Sequence, residues 1–149
     1  MDKDDTISAL NNLIETSRDG EEGFRTSAEH VRDAQLKSLF SNRAASCAQA
    51  VQELQQVVQA HGGKPTDSTS MSGALHRRWV DFKSAITGQD DVAILNEVER
   101  GEDVAVASYK KALEADLPGD VRTMVEKQYQ GVLKNHDQVK QLRNQFRAQ

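Results

Sequence analysis

Apolar residues recur along this chain in alternating steps of three and four, the spacing that lines up one face of an α-helix. The first stripe runs Ile7, Leu10, Ile14, Ser17, Glu21, Phe24, Ala28, Val31, and the second Leu36, Phe40, Arg43, Cys47, Ala50, Leu54, Val57, His61. A short one follows with Leu75, Trp79, Phe82 and Ile86 on one side. The third long stripe is Val92, Leu95, Glu99, Glu102, Val106, Tyr109, Leu113, and the fourth is Val121, Val125, Gln128, Val132, Asn135, Val139, Leu142, Phe146. Valine and isoleucine nowhere alternate with polar residues, so the pattern predicts helices and no strand.

Breaks in the pattern set the boundaries. Thr6 offers an N-cap after an acidic start, and Arg32-Asp33-Ala34 a tight break. Gly62-Gly63-Lys64-Pro65 stops the second helix, Thr66 to Ser72 is polar and turn-rich, Thr87-Gly88 closes the short helix, and Asp116-Leu117-Pro118-Gly119-Asp120 is a turn. The expectation is helices over about 6–31, 34–61, 73–86, 90–116 and 120–146 in a single domain, 1–149. A helix of about 26 residues is roughly 39 Å long, and the connection between the second and third long helices can travel back along that length. Two helical hairpins joined by one long crossover that contains a short helix make the ferritin-like four-helix bundle, in the all-α class, as against an up-down-up-down bundle with three short loops.

Two acidic triplets stand inside these stripes, Gly20-Glu21-Glu22 and Gly101-Glu102-Asp103. Their offset of 81 residues also sets Ile14 on Leu95 and Ala28 on Tyr109, a weak internal repeat. An ionised carboxylate taken out of water costs several kcal/mol unless it is paired, hydrogen-bonded, protonated or bound to a metal. One solution is a buried polar layer in which Arg43, Gln128 and Asn135 serve Glu21, Glu99 and Glu102. The other is a metal site for iron, manganese or zinc made of Glu21, Glu99, Glu102 and His136, with Tyr129 and Glu22 behind it. A full di-iron set would add Glu-x-x-His on the second and fourth long helices. The second lacks it, and on the fourth Leu133 stands three residues before His136. An arginine on the second seam, able to pair with carboxylates and repel a cation, favours the polar layer.

Gly20, Gly23, Gly101 and Gly131 lie inside helices, where each costs up to about 1 kcal/mol relative to alanine. Close helix approach is the expected reason, and a local bulge aiming the neighbouring glutamates the sharper alternative. Tyr109 and Tyr129 are placed to hydrogen-bond the inward carboxylates, Cys47 reads as a small buried hydrophobe, and His30, His61 and His76 as surface or helix-end residues. Trp79, beside His76, Arg77 and Arg78, is expected to pack across the bundle, with docking to a membrane surface or a partner as the alternative that makes it the candidate partner-binding residue. A net charge of −4 with Lys and Arg spread along every segment argues against nucleic acid. No apolar run approaches the roughly 18 residues of a membrane span, which predicts a cytoplasmic protein without a transmembrane segment. A single cysteine excludes an internal disulfide, and no Ser-His-Asp, Cys-His or phosphate-loop arrangement occurs, so the reading leans against an enzyme.

The runs Leu10-Asn11-Asn12-Leu13-Ile14-Glu15, Asp19-Gly20-Glu21-Glu22-Gly23-Phe24, Gly73-Ala74-Leu75-His76-Arg77 and Glu99-Arg100-Gly101-Glu102-Asp103 carry a further signal. With them the chain, from about Asp5 to Arg143, resembles an uncharacterised bacterial family of ferritin-like four-helix-bundle proteins. The resemblance implies the fold, no assigned reaction, and loosely a role in stress. The expectation is therefore a non-enzymatic structural or interaction protein, with a degenerate ferritin-type metal site for oxidant handling or metal sequestration as the alternative. A homodimer or an unidentified protein partner fits either reading.

Overall fold

The computed structural model describes residues 3–66 and 73–148, and no side chain of 73–79 is described. Five helices follow in order: α1 (Lys3–His30), α2 (Ala34–Ala60), α3 (Gly73–Ile86), α4 (Asp91–Glu114) and α5 (Gly119–Arg147). The first starts earlier than its apparent cap. Thr6 is buried inside it, and the acidic Asp4 and Asp5 occupy the first turn, where the helix dipole favours negative charge. Elsewhere caps mark the starts. Asp33 accepts from the Leu36 amide at 3.0 Å and Asp90 from the Ala93 amide at 2.8 Å, while Pro118 precedes α5 without needing an amide partner. Past the end of α2, Gly62 takes φ 78°, a left-handed turn that favours glycine, and the Gly63 amide donates to the Val58 carbonyl.

The helices α1 and α2 form one hairpin and α4 and α5 the other, with α1 packed on α4. On the outside, α3 lies against both α1 and α4, whereas α2 and α5 make no comparably close backbone approach among the described residues. This is the ferritin-like bundle with its long crossover. The crossover is tied to α1 as it leaves α2: Asn11 donates to the Lys64 carbonyl and accepts from the Thr66 amide, and Arg18 donates to the Thr66 carbonyl at 2.8 Å. At the opposite end the Asp91 carboxylate accepts from the Arg32 and Asp33 amides, joining the first hairpin turn to the start of α4.

The core is divided. One apolar cluster gathers Leu10, Leu13, Ile14, Leu54, Val58, Val121 and Val125, with Tyr109 at its edge. The other gathers Phe24, Phe40, Leu36, Ile86, Ile94, Leu95 and Val139. Between them lies the level of Glu21, Arg43, Cys47, Glu102, Gln128 and Asn135, where every long helix puts a polar residue on its seam. We call this level the waist.

Candidate functional site

Glu102 is the carboxylate that reaches the interior, with 5% of its surface exposed. The Asn135 amide nitrogen, also buried, donates to its Oε1 at 2.7 Å. Burial pushes the Glu102 carboxyl up to about 7, against the Asn135 bond and the positive charges of Arg43 and His136, which favour the ionised form. Two turns toward the first cluster, the Tyr109 hydroxyl donates to Gln128 Oε1 at 2.7 Å and sits 3.2 Å from Ser17 Oγ. The Gln128 nitrogen reaches the Ala50 carbonyl at 3.5 Å, a link from α5 to α2. Tyr129 stacks on Tyr109 with ring centres 6.5 Å apart, and burial raises the Tyr109 hydroxyl to about 12.

The other candidates are placed apart. Glu21 is half-buried and pairs with Arg25 at 3.1 Å, and the exposed Glu22 pairs with the same guanidinium at 2.6 Å. Glu99 pairs with Arg143. His136 Nε2 lies 2.6 Å from Asp103 Oδ1. The four residues read from the sequence as metal ligands thus each have a different protein partner, and among the described residues no three His, Cys, Asp or Glu side chains are grouped to hold a metal ion. Of the expected hydrogen-bonded layer, Asn135 reaches Glu102, but Gln128 bonds a tyrosine and Arg43 bonds no carboxylate. The reason lies partly in a rotation of α4. Its buried stripe runs Ile94, Leu95, Val98, Glu102, Tyr109, Ala112, one residue round from the seam through Val92, Glu99 and Val106, which leaves Glu99 on the flank beside α5. Tyr109 correspondingly meets an amide and a hydroxyl instead of a carboxylate.

A cavity of about 610 Å³ occupies the waist. Its walls include Gly20, Phe24, Arg43, Cys47, Glu102 and Gln128, and exposed residues such as Gln49, Arg100 and Val104 bring it to the surface. The mid-helix glycines help to make it. A Cβ built on Gly101 or Gly131 would meet no atom within 4 Å, so these two leave space instead of letting helices approach closely. Gly20 and Gly23 differ, since a Cβ would come 3.1 Å from Cys47 Sγ at the first and 3.8 Å from the Phe82 ring at the second. All four lie in continuous α-helix, without a bulge. Burial pushes the Cys47 thiol up to about 11, Arg43 pulling against it and the Glu102 and Glu21 carboxylates adding to it. Arg43 lies over the Phe24 ring, 5.9 Å from its centre, and its Nε is buried with no hydrogen-bond partner among the described residues. His30 bonds the Thr26 carbonyl and His61 caps α2, both helix-end roles. Trp79 and His76 fall outside the described side chains.

Two-metal bundles of this kind draw carboxylates from all four helices. Here α2 brings Arg43 and Cys47 to the waist and α5 brings Gln128 and Asn135, and these residues do not fit a two-metal centre. Cations and amides stand where the anionic donors would be needed.

Solved structures share the architecture at low identity. A protein from Anabaena variabilis containing dj-1/thij/pfpi-like and ferritin-like domains superposes with a TM-score of 0.80 at 14% identity over 99% of this chain, which spans 38% of that protein. A dodecameric thioferritin, the bacterioferritin-related protein of Bacteroides fragilis, gives 0.80 at 13% identity, covering 99% of this chain and 89% of its own. The DPS protein of Vibrio cholerae O1, described as a member of a broad superfamily of ferritin-like diiron-carboxylate proteins, gives 0.76 at 15% identity over 94% of this chain and 89% of its own. No curated protein sequence matches. Residues 5–115, covering α1 to α4, match the family described as a domain of unknown function, DUF2383. The chain belongs to that family, and its fold is the ferritin-like bundle.

Proposed function

We propose that this chain is a non-enzymatic interaction protein on a ferritin-like bundle, in which the inward carboxylates belong to protein hydrogen bonds and ion pairs. The observation that carries this reading is the separate pairing of Glu21 with Arg25, Glu99 with Arg143, Glu102 with Asn135 and His136 with Asp103. The thiol at Cys47 and the hydroxyl at Tyr109 support it, because both are raised and so are poor nucleophiles at neutral pH. A cytoplasmic location is part of the proposal. It accords with the finding that no helix among the described residues is long and apolar enough to cross a membrane.

A second reading has its own support. Glu102 and Glu21 both act electrostatically on Cys47 at the cavity, so a cation entering there would meet two carboxylates. In that reading the present pairs open and Glu21, Glu99, Glu102 and His136 hold one iron, manganese or zinc ion for oxidant handling or sequestration. Elemental analysis separates the two, on protein purified without chelator or affinity metal and repeated after anaerobic incubation with ferrous iron and desalting. The expected result is no stoichiometric metal. Metal at one equivalent that disappears in Glu102→Ala would replace the first reading with the second.

A further inference from the structure

Arg43 is a half-buried guanidinium on the wall of the waist cavity, and it forms no ion pair among the described residues. Asp19 and Asp81 also line the cavity, and three of its neighbouring acids are held by other groups. Glu102 holds Asn135, Glu21 holds Arg25 and Glu97 holds Arg100. Glu53 lies ten residues further along α2, about 15 Å from Arg43 by helical rise. Arg43 acts on Glu102 through space, but a guanidinium with no carboxylate in direct ion-pair contact in a partly dry site is an incomplete arrangement, since its desolvation is best offset by a charged or strongly accepting partner that touches it. Beside it the cavity is apolar, with the Phe24 ring under the guanidinium and Phe82, Ala105 and Val132 on other walls. A volume of about 610 Å³ suits a small organic ligand and far exceeds what one buried anion needs.

We propose that the waist cavity binds a small amphipathic anion, an aromatic carboxylate or sulfonate, whose ring lies in the space left by Gly101 and Gly131 and whose anionic group meets Arg43. This goes beyond the non-enzymatic reading. It concerns an organic ligand, so its test reads a quantity that metal analysis does not.

The probe is anilinonaphthalene sulfonate, titrated by fluorescence against the folded full chain, with neutral N-phenylnaphthylamine as the same ring system lacking the anion. Helicity and melting are recorded for every variant. Saturable binding of the sulfonate at one site per chain is expected, with at least tenfold preference over the neutral probe. Arg43→Met is expected to abolish the preference while leaving the neutral probe's affinity within twofold. Gly131→Leu, which fills the cavity from a position where an added Cβ meets no atom within 4 Å, is expected to weaken both probes at least tenfold. If that variant loses its fold, Ala105→Leu blocks the same space from α4. Absence of saturable binding, equal affinity for the two probes, an unchanged preference in Arg43→Met, or full binding in folded cavity-filled variants would each overturn the proposal.

Discussion

Glu102 binds its proton more tightly in the folded chain than in the unfolded one, because burial penalises the carboxylate more than Asn135 and Arg43 can compensate. The direction of the resulting pH dependence follows from linkage. With the folded value near 7 and the ordinary value at 4.5, the native state holds more protons than the unfolded state between those limits, so stability falls as pH rises through that window. Below it the neutral acid costs little, and above it the whole penalty is present. Urea unfolding at about pH 5 and about pH 8 is expected to differ by on the order of 2 kcal/mol through this group, and Glu102→Gln, which can still accept from Asn135, is expected to remove that difference and stabilise the chain at the higher pH. An unchanged pH profile in the variant would mean that Glu102 is better solvated than its burial implies. That Glu102 turns inward was legible in the sequence, since it sits on an apolar stripe. Which partner it takes was not, because Arg43, Gln128 and Asn135 were equally eligible on their own seams and only their three-dimensional levels distinguish them.

At the scale of the helix, the glycines separate into two kinds. Gly101 and Gly131 face empty space, so alanine there adds helix propensity at no steric cost, whereas alanine at Gly20 would press on Cys47 Sγ at 3.1 Å. Gly101→Ala and Gly131→Ala are each expected to raise unfolding free energy by about 0.5–1 kcal/mol in denaturant titrations, while Gly20→Ala gains less or loses. Combining Gly20→Ala with Cys47→Ala should recover the missing gain, and a double-mutant cycle reads the coupling directly. The positions of these helices were legible from stripe and turn signals. The one-residue rotation of α4 was not, because Val92, Leu95, Val98 and Val106 offer two overlapping apolar faces and the choice depends on how α1 and α5 pack against them.

Over the whole molecule the apolar clusters lie on either side of a polar, partly open waist, and α5 contributes to both. Val121 and Val125 complete the first, Val139 completes the second, and Asn135 holds Glu102 between them. The family match, residues 5–115, ends before this helix begins. A chain ending at Ala115 would expose one side of both clusters, and is expected to lack the cooperative thermal transition that the full chain is expected to show by circular dichroism. A sharp transition in the shortened chain would mean that α1 to α4 form a core of their own.

The sequence alone determined the class, the number and approximate extent of the helices, and the crossover, because these follow from local periodicity, capping and the lengths of connections. It also determined that Glu102 would turn toward the interior, whereas Glu21 and Glu99, expected there too, lie at the flanks. The tertiary structure alone decided what those groups meet: Glu99 with Arg143, His136 with Asp103, Glu102 with Asn135, and Arg43 with an aromatic ring. It decided as well that Gly101 and Gly131 border open space at the waist cavity, whereas Gly20 lets α2 approach closely. The physical reason is the range of the interactions. Helix formation is written in neighbours three and four residues apart, while ion pairing and empty volume depend on the relative rotation and height of packed helices, which only the assembled bundle fixes.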